Sequence, residues 1–257
     1  MADSMYAVLR AGARREDLAG VCALAVMAKA PRAGKVKTRL APALGFDGSA
    51  AINVCFLKDT ARNIAEVCVD GKAAGLVCHT PVGDEAAFDG LLPEGFALIA
   101  QRGDAFGERL LAAAEDILSC GYGAVCLIDS DSPTIPQAAL VQAVEALSQP
   151  GDRVVLGGSD DGGYYLIGLK QAYAEPFESI TWSTASVFDE TVAQVKRAGL
   201  ELVTLPVWYD VDDAETLAVL ERELLHGVKP EFAVVDGFDA MATREFLMRR
   251  VAMPREI

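Results

Sequence analysis

Gly123-Ala-Val-Cys-Leu-Ile-Asp-Ser-Asp-Ser-Pro133 is an apolar run that ends abruptly on two carboxylates, Asp129 and Asp131. A short, continuously apolar segment bounded by Gly and Pro reads as a strand buried on both faces, the kind found in parallel sheets sandwiched between helices. In extended backbone, side chains at i and i+2 point to the same side, so Asp129 and Asp131 can face one cation. Hard oxygen ligands suit Mg²⁺ or Mn²⁺. The same residues also suit a turn or a helix N-cap. What favours the cation is the position, directly beyond the most apolar strand.

Outward from this stretch, short apolar runs alternate with segments of helical spacing. Strands are expected at 21–28, 73–79, 96–100, 123–128, 153–158, 164–169 and 200–205. Helices are expected at 48–69, 106–119, 137–147, 186–198 and 214–225. The alternation predicts an α/β fold with a mostly parallel sheet between helical layers, whose ligands bind where loops leave the carboxyl ends of the strands. The 257 residues fit one domain spanning 1–257, with a core at about 22–225. Residues 4–15 read as a helix within an N-terminal segment, 1–20. Within a C-terminal extension, 226–257, residues 230–257 read as an added strand and helix, the helix at 243–251 able to pack on the domain or on a second copy as a homodimer.

Composition removes several function classes. The net charge of −14 argues against a nucleic-acid binder, and no uninterrupted apolar run approaches the length of a membrane span. The first twenty residues do not form a secretory signal, and the six cysteines lack any C-x-x-C pair and read as buried thiols. A reducing, cytoplasmic setting follows as the expectation. With only His79 and His226 in the chain, a His-rich metal site and a catalytic triad are disfavoured. Charge is unevenly spread: residues 1–40 hold eight Lys/Arg against three acids, whereas the rest is strongly acidic. A local basic loop in an acidic protein suggests a small anionic ligand.

That loop, Lys29-Ala-Pro-Arg-Ala-Gly-Lys-Val-Lys-Thr-Arg39, follows the first long strand and carries five bases and no acid. Gly34 permits close backbone approach, while Lys29, Arg32, Lys35, Lys37 and Arg39 can neutralise a diphosphate. It is not a P-loop, because G-x-x-x-x-G-K-[ST] is absent. A second rim, Gly157-Gly-Ser-Asp-Asp-Gly-Gly-Tyr164, lets backbone approach a small acceptor at Gly162 and Gly163, with Tyr164 beside them. Asp160 or Asp161 can bind hydroxyls or act as a base there. In Asp210-Val-Asp-Asp213, the last residue suits an N-cap, leaving Asp210 and Asp212 free to face a metal. Trp182 in Ile180-Thr-Trp-Ser-Thr184 can line an acceptor pocket, and Ser183 or Thr184 can cap the helix behind it. Arg109, one turn into the helix after Gly103-Asp-Ala-Phe-Gly-Glu-Arg109, can reach a phosphate or form a surface ion pair.

Taken in order, these segments resemble the GT-A-type glycosyltransferases grouped as radical-SAM/selenodomain-associated transferases, some tied to arsenosugar biosynthesis. They lie within the nucleotide-diphospho-sugar transferase superfamily, which also holds nucleotidyltransferases. The resemblance rests on residues 29–40, 103–109, 128–133, 161–169, 180–184 and 210–213. It implies a GT-A fold, a three-layer α/β/α arrangement with a Rossmann-like sheet. It implies nucleotide phosphates on the 29–39 loop and a divalent metal at Asp131, with Asp212 as second carboxylate. The group often has Gly where this chain has Asp129, so Asp131 is the safer metal ligand of the two. The final 30 residues fall outside the resemblance.

The expected function is a metal-dependent glycosyltransferase moving a sugar from a nucleotide diphosphate to a small-molecule acceptor. The alternative is a nucleotidyltransferase joining a nucleoside triphosphate to a phosphorylated small molecule. Such enzymes in the superfamily usually place a Lys shortly after the loop's Arg, whereas here Arg39-Leu-Ala-Pro is followed by Ala43. A non-catalytic nucleotide-binding protein is a third possibility. Against it stand the acids gathered at strand ends, which repel one another without a cation.

Overall fold

The computed structural model describes residues 4–252. In chain order the strands are β1 (Ala7–Val8), β2 (Cys22–Lys29), β3 (Ala73–Thr80), β4 (Ala97–Ala100), β5 (Ala124–Ile128), β6 (Arg153–Ser159), β7 (Tyr164–Leu169) and β8 (Glu201–Trp208). The helices are α1 (Ala41–Val67), α2 (Phe106–Ser119), α3 (Gln137–Ser148), α4 (Val187–Arg197), α5 (Ala214–His226) and α6 (Met241–Ala252). One eight-stranded sheet runs β1-β4-β3-β2-β5-β7-β6-β8. All pairings are parallel except those of β7, which is antiparallel to β5 and β6. This is the mostly parallel, layered α/β architecture expected from the alternation.

The period of two along each strand explains why the strands read as unbroken apolar runs. Leu24, Val26, Cys126 and Ile128 point into a core shared with α1, α3, α5 and α6. Ala23, Ala25, Val125 and Leu127 point into the opposite core, under α2 and α4. Helical layers on both faces leave no side of these strands for water, so no polar alternation is needed.

Several elements differ from the sequence expectation. No helix forms at 4–15: the chain adds β1 to the sheet edge, then makes a single 3-10 turn at Glu16–Leu18. The Tyr6 hydroxyl anchors this segment, donating to Leu92 O at 2.8 Å and accepting from Leu92 N at 3.0 Å. Helix α1 starts at Ala41 rather than at 48, with Pro42 in its first turn and a kink at Gly45 (φ 72°, ψ 170°) that only glycine takes easily. The 33-residue segment Thr38–Asp70 is long and apolar enough, by length and composition, to cross a membrane, although no uninterrupted apolar run announced it. In the fold its Ile52, Phe56, Leu57 and Ile64 are core residues against the sheet. Of the expected C-terminal strand and helix, only the helix α6 forms among the described residues. It docks on α1 through Asp59, whose carboxylate accepts from the amides of Ala242 (2.9 Å) and Thr243 (2.7 Å) and from the Thr243 hydroxyl (2.7 Å). A side chain from another helix thus satisfies the free N–H groups of the first turn.

The reversal at β7 also gathers the functional loops. Because β6 and β7 form a hairpin, its bend at 160–163 lies at the same sheet edge as the loops leaving β2, β5 and β8. That edge carries every carboxylate singled out above.

Candidate active site at the carboxyl edge of the sheet

At the centre, the Lys37 ammonium lies between two carboxylates, 2.9 Å from Asp131 Oδ2 and 2.8 Å from Asp212 Oδ1. It also donates to Val211 O at 2.8 Å, so all three of its N–H groups are used. The Lys37 side chain is 4% exposed. Burial alone would lower its pKa, but Asp131 and Asp212 outweigh burial and hold the group above its ordinary value. Its backbone is in the left-handed region (φ 47°), uncommon for a residue with a side chain and found where a fold fixes a functional group. The loops bearing the two carboxylates are tied directly, since Val211 N donates to Asp131 O at 3.0 Å.

Two cavities meet at this pair. The smaller, about 290 Å³, is lined by Lys29, Lys35, Lys37, Thr38 and Arg39, with Asn53, Ser130, Asp131 and Asp212. It gathers four of the bases singled out in the loop. Arg32 is not among them; it turns away and pairs with Asp84 at 2.6 Å. Gly34 does not line the cavity either: at φ 70° it forms the turn that returns the chain toward Lys35.

The larger cavity, about 500 Å³, is lined by Arg39, Asp129, Asp131, Asp161, Asp210 and Asp212, with Phe106, Gly163, Tyr164, Trp182, Ser183 and Thr184 among its other walls. Trp182 stands edge-on to Phe106, with ring centroids 5.0 Å apart, and to Tyr164 at 6.4 Å. The Tyr164 hydroxyl is buried without a partner, and burial raises its pKa. Gly162 is not a wall of this cavity. Its φ of 91° and its contact with the backbone of Ala185, where a Cβ would stand 2.1 Å from the carbonyl oxygen, make it the residue that seats the bend on the segment leading into α4. Arg109 lines neither cavity and lies over the Phe106 ring, 5.6 Å from its centroid.

The acids differ in role. Asp129 builds the loop: its Oδ1 accepts from the amides of Asp131 and Ser132, each at 3.2 Å, and its Oδ2 from the Ser132 hydroxyl at 2.8 Å. Burial pushes its pKa well above the usual carboxylate range, and the charges of Asp131 and Asp210 add to the shift. Asp213 caps α5, its Oδ1 accepting from the amides of Glu215 (3.0 Å) and Thr216 (2.9 Å). Asp161 Oδ1 accepts from Gly163 N at 2.8 Å, which fixes the carboxylate at the cavity rim. Asp210 accepts from the Ser159 hydroxyl at 3.1 Å, and burial, reinforced by Asp161 and Asp212, raises its pKa to about 6.

Among the described residues, no group of three or more His, Cys, Asp or Glu side chains is arranged to hold a metal. What the fold offers is a carboxylate pair, Asp131 and Asp212, already holding one cation in the form of Lys37. A pair of carboxylates completed by substrate phosphates and water is the usual protein share of a Mg²⁺ site in phosphate chemistry. The residues therefore fit such an ion as a shared, not a caged, ligand.

Residues beyond those singled out from the sequence also meet here. Asn53 is 7% exposed and reaches the smaller cavity from within α1. Nothing in its local sequence marks it, because its position depends on how α1 packs. Phe106, an exposed apolar residue at the start of α2, forms a wall of the larger cavity. Ser183 and Thr184, which the sequence offers as caps for the helix behind them, do not cap α4, whose N-cap is Ser186; both line the larger cavity, Ser183 with a left-handed φ of 64°.

The scaffold has known counterparts. A crystal structure described as a "putative nucleotide-diphospho-sugar transferase" from Desulfovibrio desulfuricans G20 is 31% identical, with a TM-score of 0.73, covering 90% of this chain and 98% of that chain. The CMP:2-keto-3-deoxy-manno-octonic acid synthetase complexed with CTP (10% identity, TM-score 0.51, covering 81% of this chain and 100% of that one) shares the fold. So does a nucleotidyl transferase from Methanothermobacter thermautotroptrophicus (13% identity, TM-score 0.52, covering 81% and 99%). No curated protein matches the chain in sequence. The fold is thus that of the nucleotide-using sugar and nucleotidyl transferases. Residues 63–184 match the family described as "Uncharacterized protein conserved in bacteria (DUF2064)", and the chain belongs to this family of GT-A-like proteins.

Proposed function

We propose that this protein is a metal-dependent transferase that takes a nucleotide diphosphate donor and passes its sugar to a small-molecule acceptor. The observation that carries this reading is the meeting of a basic cavity and an acidic, aromatic-walled cavity at one carboxylate pair. Lys29, Lys35, Lys37 and Arg39 suit the donor's phosphates, and Gly163, Tyr164 and Trp182 suit the acceptor. The description of the 31% identical relative agrees with this assignment. Asp131 and Asp212 would hold Mg²⁺ or Mn²⁺, which when bound would neutralise charge developing on the departing diphosphate. Transfer breaks the bond from the sugar's anomeric carbon to the diphosphate and forms one to an acceptor hydroxyl, whose proton must go to a base. Asp161 stands at that cavity's rim, and Asp210, with a pKa raised to about 6, is the second carboxylate suited to the step.

A nucleotidyltransferase is the second reading, because four bases around one cavity balance a triphosphate as well as a diphosphate. A thermal-shift panel of nucleoside triphosphates, diphosphates and nucleotide sugars, with and without Mn²⁺, separates the two, since a bound ligand raises the melting temperature. Stabilisation by a nucleotide sugar with Mn²⁺, lost in Asp131→Ala, is expected. Stabilisation by a triphosphate, with pyrophosphate release on turnover, selects the second reading. No response to any nucleotide overturns both.

A further inference from the structure

Lys37 places its ammonium between the two carboxylates, Asp131 and Asp212, that would hold a divalent cation. Its ammonium contacts one oxygen of Asp131, one of Asp212 and the Val211 carbonyl, three oxygens at 2.8–2.9 Å around one positive centre. An ammonium and a metal ion cannot both stand within contact of the same two carboxylate oxygens, because the like charges would be almost adjacent. For a metal to take these two oxygens, Lys37 must leave. It has somewhere to go: the residue also lines the basic cavity, together with Lys29, Lys35 and Arg39. Its four-carbon stem is flexible enough to re-aim the ammonium without moving the loop.

We propose that Lys37 is a placeholder cation, which holds the Asp131–Asp212 pair together in the donor-free protein and transfers to the donor's diphosphate as a divalent metal takes its place. This rests on Asp131 and Asp212 being the cation-holding pair. Two consequences follow. The metal alone binds weakly, since it must expel a well-satisfied ammonium that gains no new anionic partner. Metal and donor bind cooperatively, because each supplies what the other's entry leaves unpaired, and the coupling factor is the same in both directions. Free metal then does not fill the site until a donor is present.

The test is a Mn²⁺ titration followed by electron paramagnetic resonance, without nucleotide, on the wild type, Lys37→Met and Lys37→Gln. Removing a competitor should tighten Mn²⁺ binding by at least about fivefold in both variants, the lower end of ordinary coupling factors. The metal-free Lys37→Met protein should melt below the wild type and recover on adding Mn²⁺, because Asp131 has lost its cation and Asp212 keeps only the exposed Arg39, 3.6 Å away. Adding Asp131→Asn to either variant should abolish the gain, which locates it at this pair. The Lys37→Gln protein keeps hydrogen-bonding capacity and serves if the methionine variant folds poorly. Mn²⁺ affinity unchanged or weaker in the variants overturns the placeholder role, and the transferase reading survives if wild type with Mn²⁺ is still stabilised by nucleotide. Tighter Mn²⁺ binding in the variants, with no nucleotide response in the wild type, keeps the competition between Lys37 and the metal but overturns both the transfer of Lys37 to a diphosphate and the transferase reading.

Discussion

Gly107 and Trp182 pack in direct contact, and they do so because Gly107 has no side chain: a Cβ there would stand 2.8 Å from Trp182 Cζ2 and 2.9 Å from Nε1. Gly107 is the second residue of α2, where a glycine costs helix stability relative to alanine. The cost is offset by the indole, which lies across the helix start and against Phe106 to form the aromatic wall of the larger cavity. Beside it, Glu108 folds back to accept from the amides of Asp104 (3.2 Å) and Ala105 (3.1 Å), so the helix start is capped while its surface stays open to the indole.

Gly107→Ala should therefore move Trp182 despite improving helix propensity. Overpacking of this kind costs about 1–3 kcal/mol, more than the roughly 1 kcal/mol gained from propensity. The expected result is a lower melting temperature and a shifted tryptophan emission. Trp208, fully buried elsewhere, should contribute a constant background. Nucleotide affinity should stay within about twofold, because the basic cavity is not built on α2. A stabilised variant with unchanged emission would show that the indole does not depend on the missing side chain.

The two cations Arg32 and Lys35, three residues apart in one loop, should behave differently. Lys35 lines the basic cavity, whereas Arg32 is committed to Asp84. A hydrogen bond to a charged group contributes about 1.5–3 kcal/mol, so Lys35→Ala should weaken nucleoside diphosphate binding by roughly tenfold or more, read by calorimetry. Arg32→Ala should change it less than about twofold, as expected for loss of an exposed ion pair away from the ligand. Equal losses in both variants would mean that the loop re-forms around the donor and brings Arg32 in.

The same pair shows what could be read in the sequence. Charge density located the loop, but which bases face inward depends on the left-handed turns at Gly34 and Lys37 and on an acid, Asp84, that is remote in sequence. Period and strand ends placed Asp131, Asp161 and Asp212 on one edge, since those signals are local and strong. The antiparallel β7 was not legible, because an apolar run has the same pattern in either direction. Asn53 and the Lys37 ion pair were hidden for a related reason: both depend on contacts across the fold. The N-terminal segment misled because its edge strand is fixed by Tyr6 against Leu92, a contact invisible in the local sequence.

Behind the carboxylate pair, Glu223 of α5 joins the two loops that carry it. Its Oε2 accepts from the hydroxyls of Thr134 (3.0 Å) and Tyr209, and Thr134 Oγ1 in turn accepts from Trp208 Nε1 at 3.1 Å. Burial raises the Glu223 pKa. The role is that of a hydrogen-bond acceptor, and it need not be charged. Glu223→Ala leaves buried hydroxyls unsatisfied and should cost on the order of 2–4 kcal/mol, at about 2–4 °C of melting temperature per kcal/mol. Glu223→Gln keeps an acceptor oxygen and should lose less than half as much. Equal losses would assign the effect to charge. Gly237→Ala probes the same place from the other side, since its Cβ would stand 2.3 Å from Glu223 Oε1, and should also destabilise.

His79, at the carboxyl end of β3, supplies a pH signature. Its ring is fully buried, Nε2 lacks a hydrogen-bond partner, and Glu85 Oε1 lies 3.5 Å away. Burial lowers the pKa and outweighs the opposing pull of Glu85, so the folded protein resists protonating this ring. Below the ordinary histidine value of about 6.5 the unfolded chain takes up a proton that the folded chain does not, and stability falls with pH. The contribution is complete above that value and is lost progressively as pH drops from it toward the folded pKa. Urea unfolding at pH 7.5, 6.5 and 5.5 should show wild type losing stability across the series, and His79→Gln should flatten that slope. Asp210, its pKa raised to about 6, titrates in the same window in both proteins, so the difference between wild type and His79→Gln isolates the histidine. If wild type instead gains stability on acidification and the variant does not, the Glu85 ion pair dominates over burial.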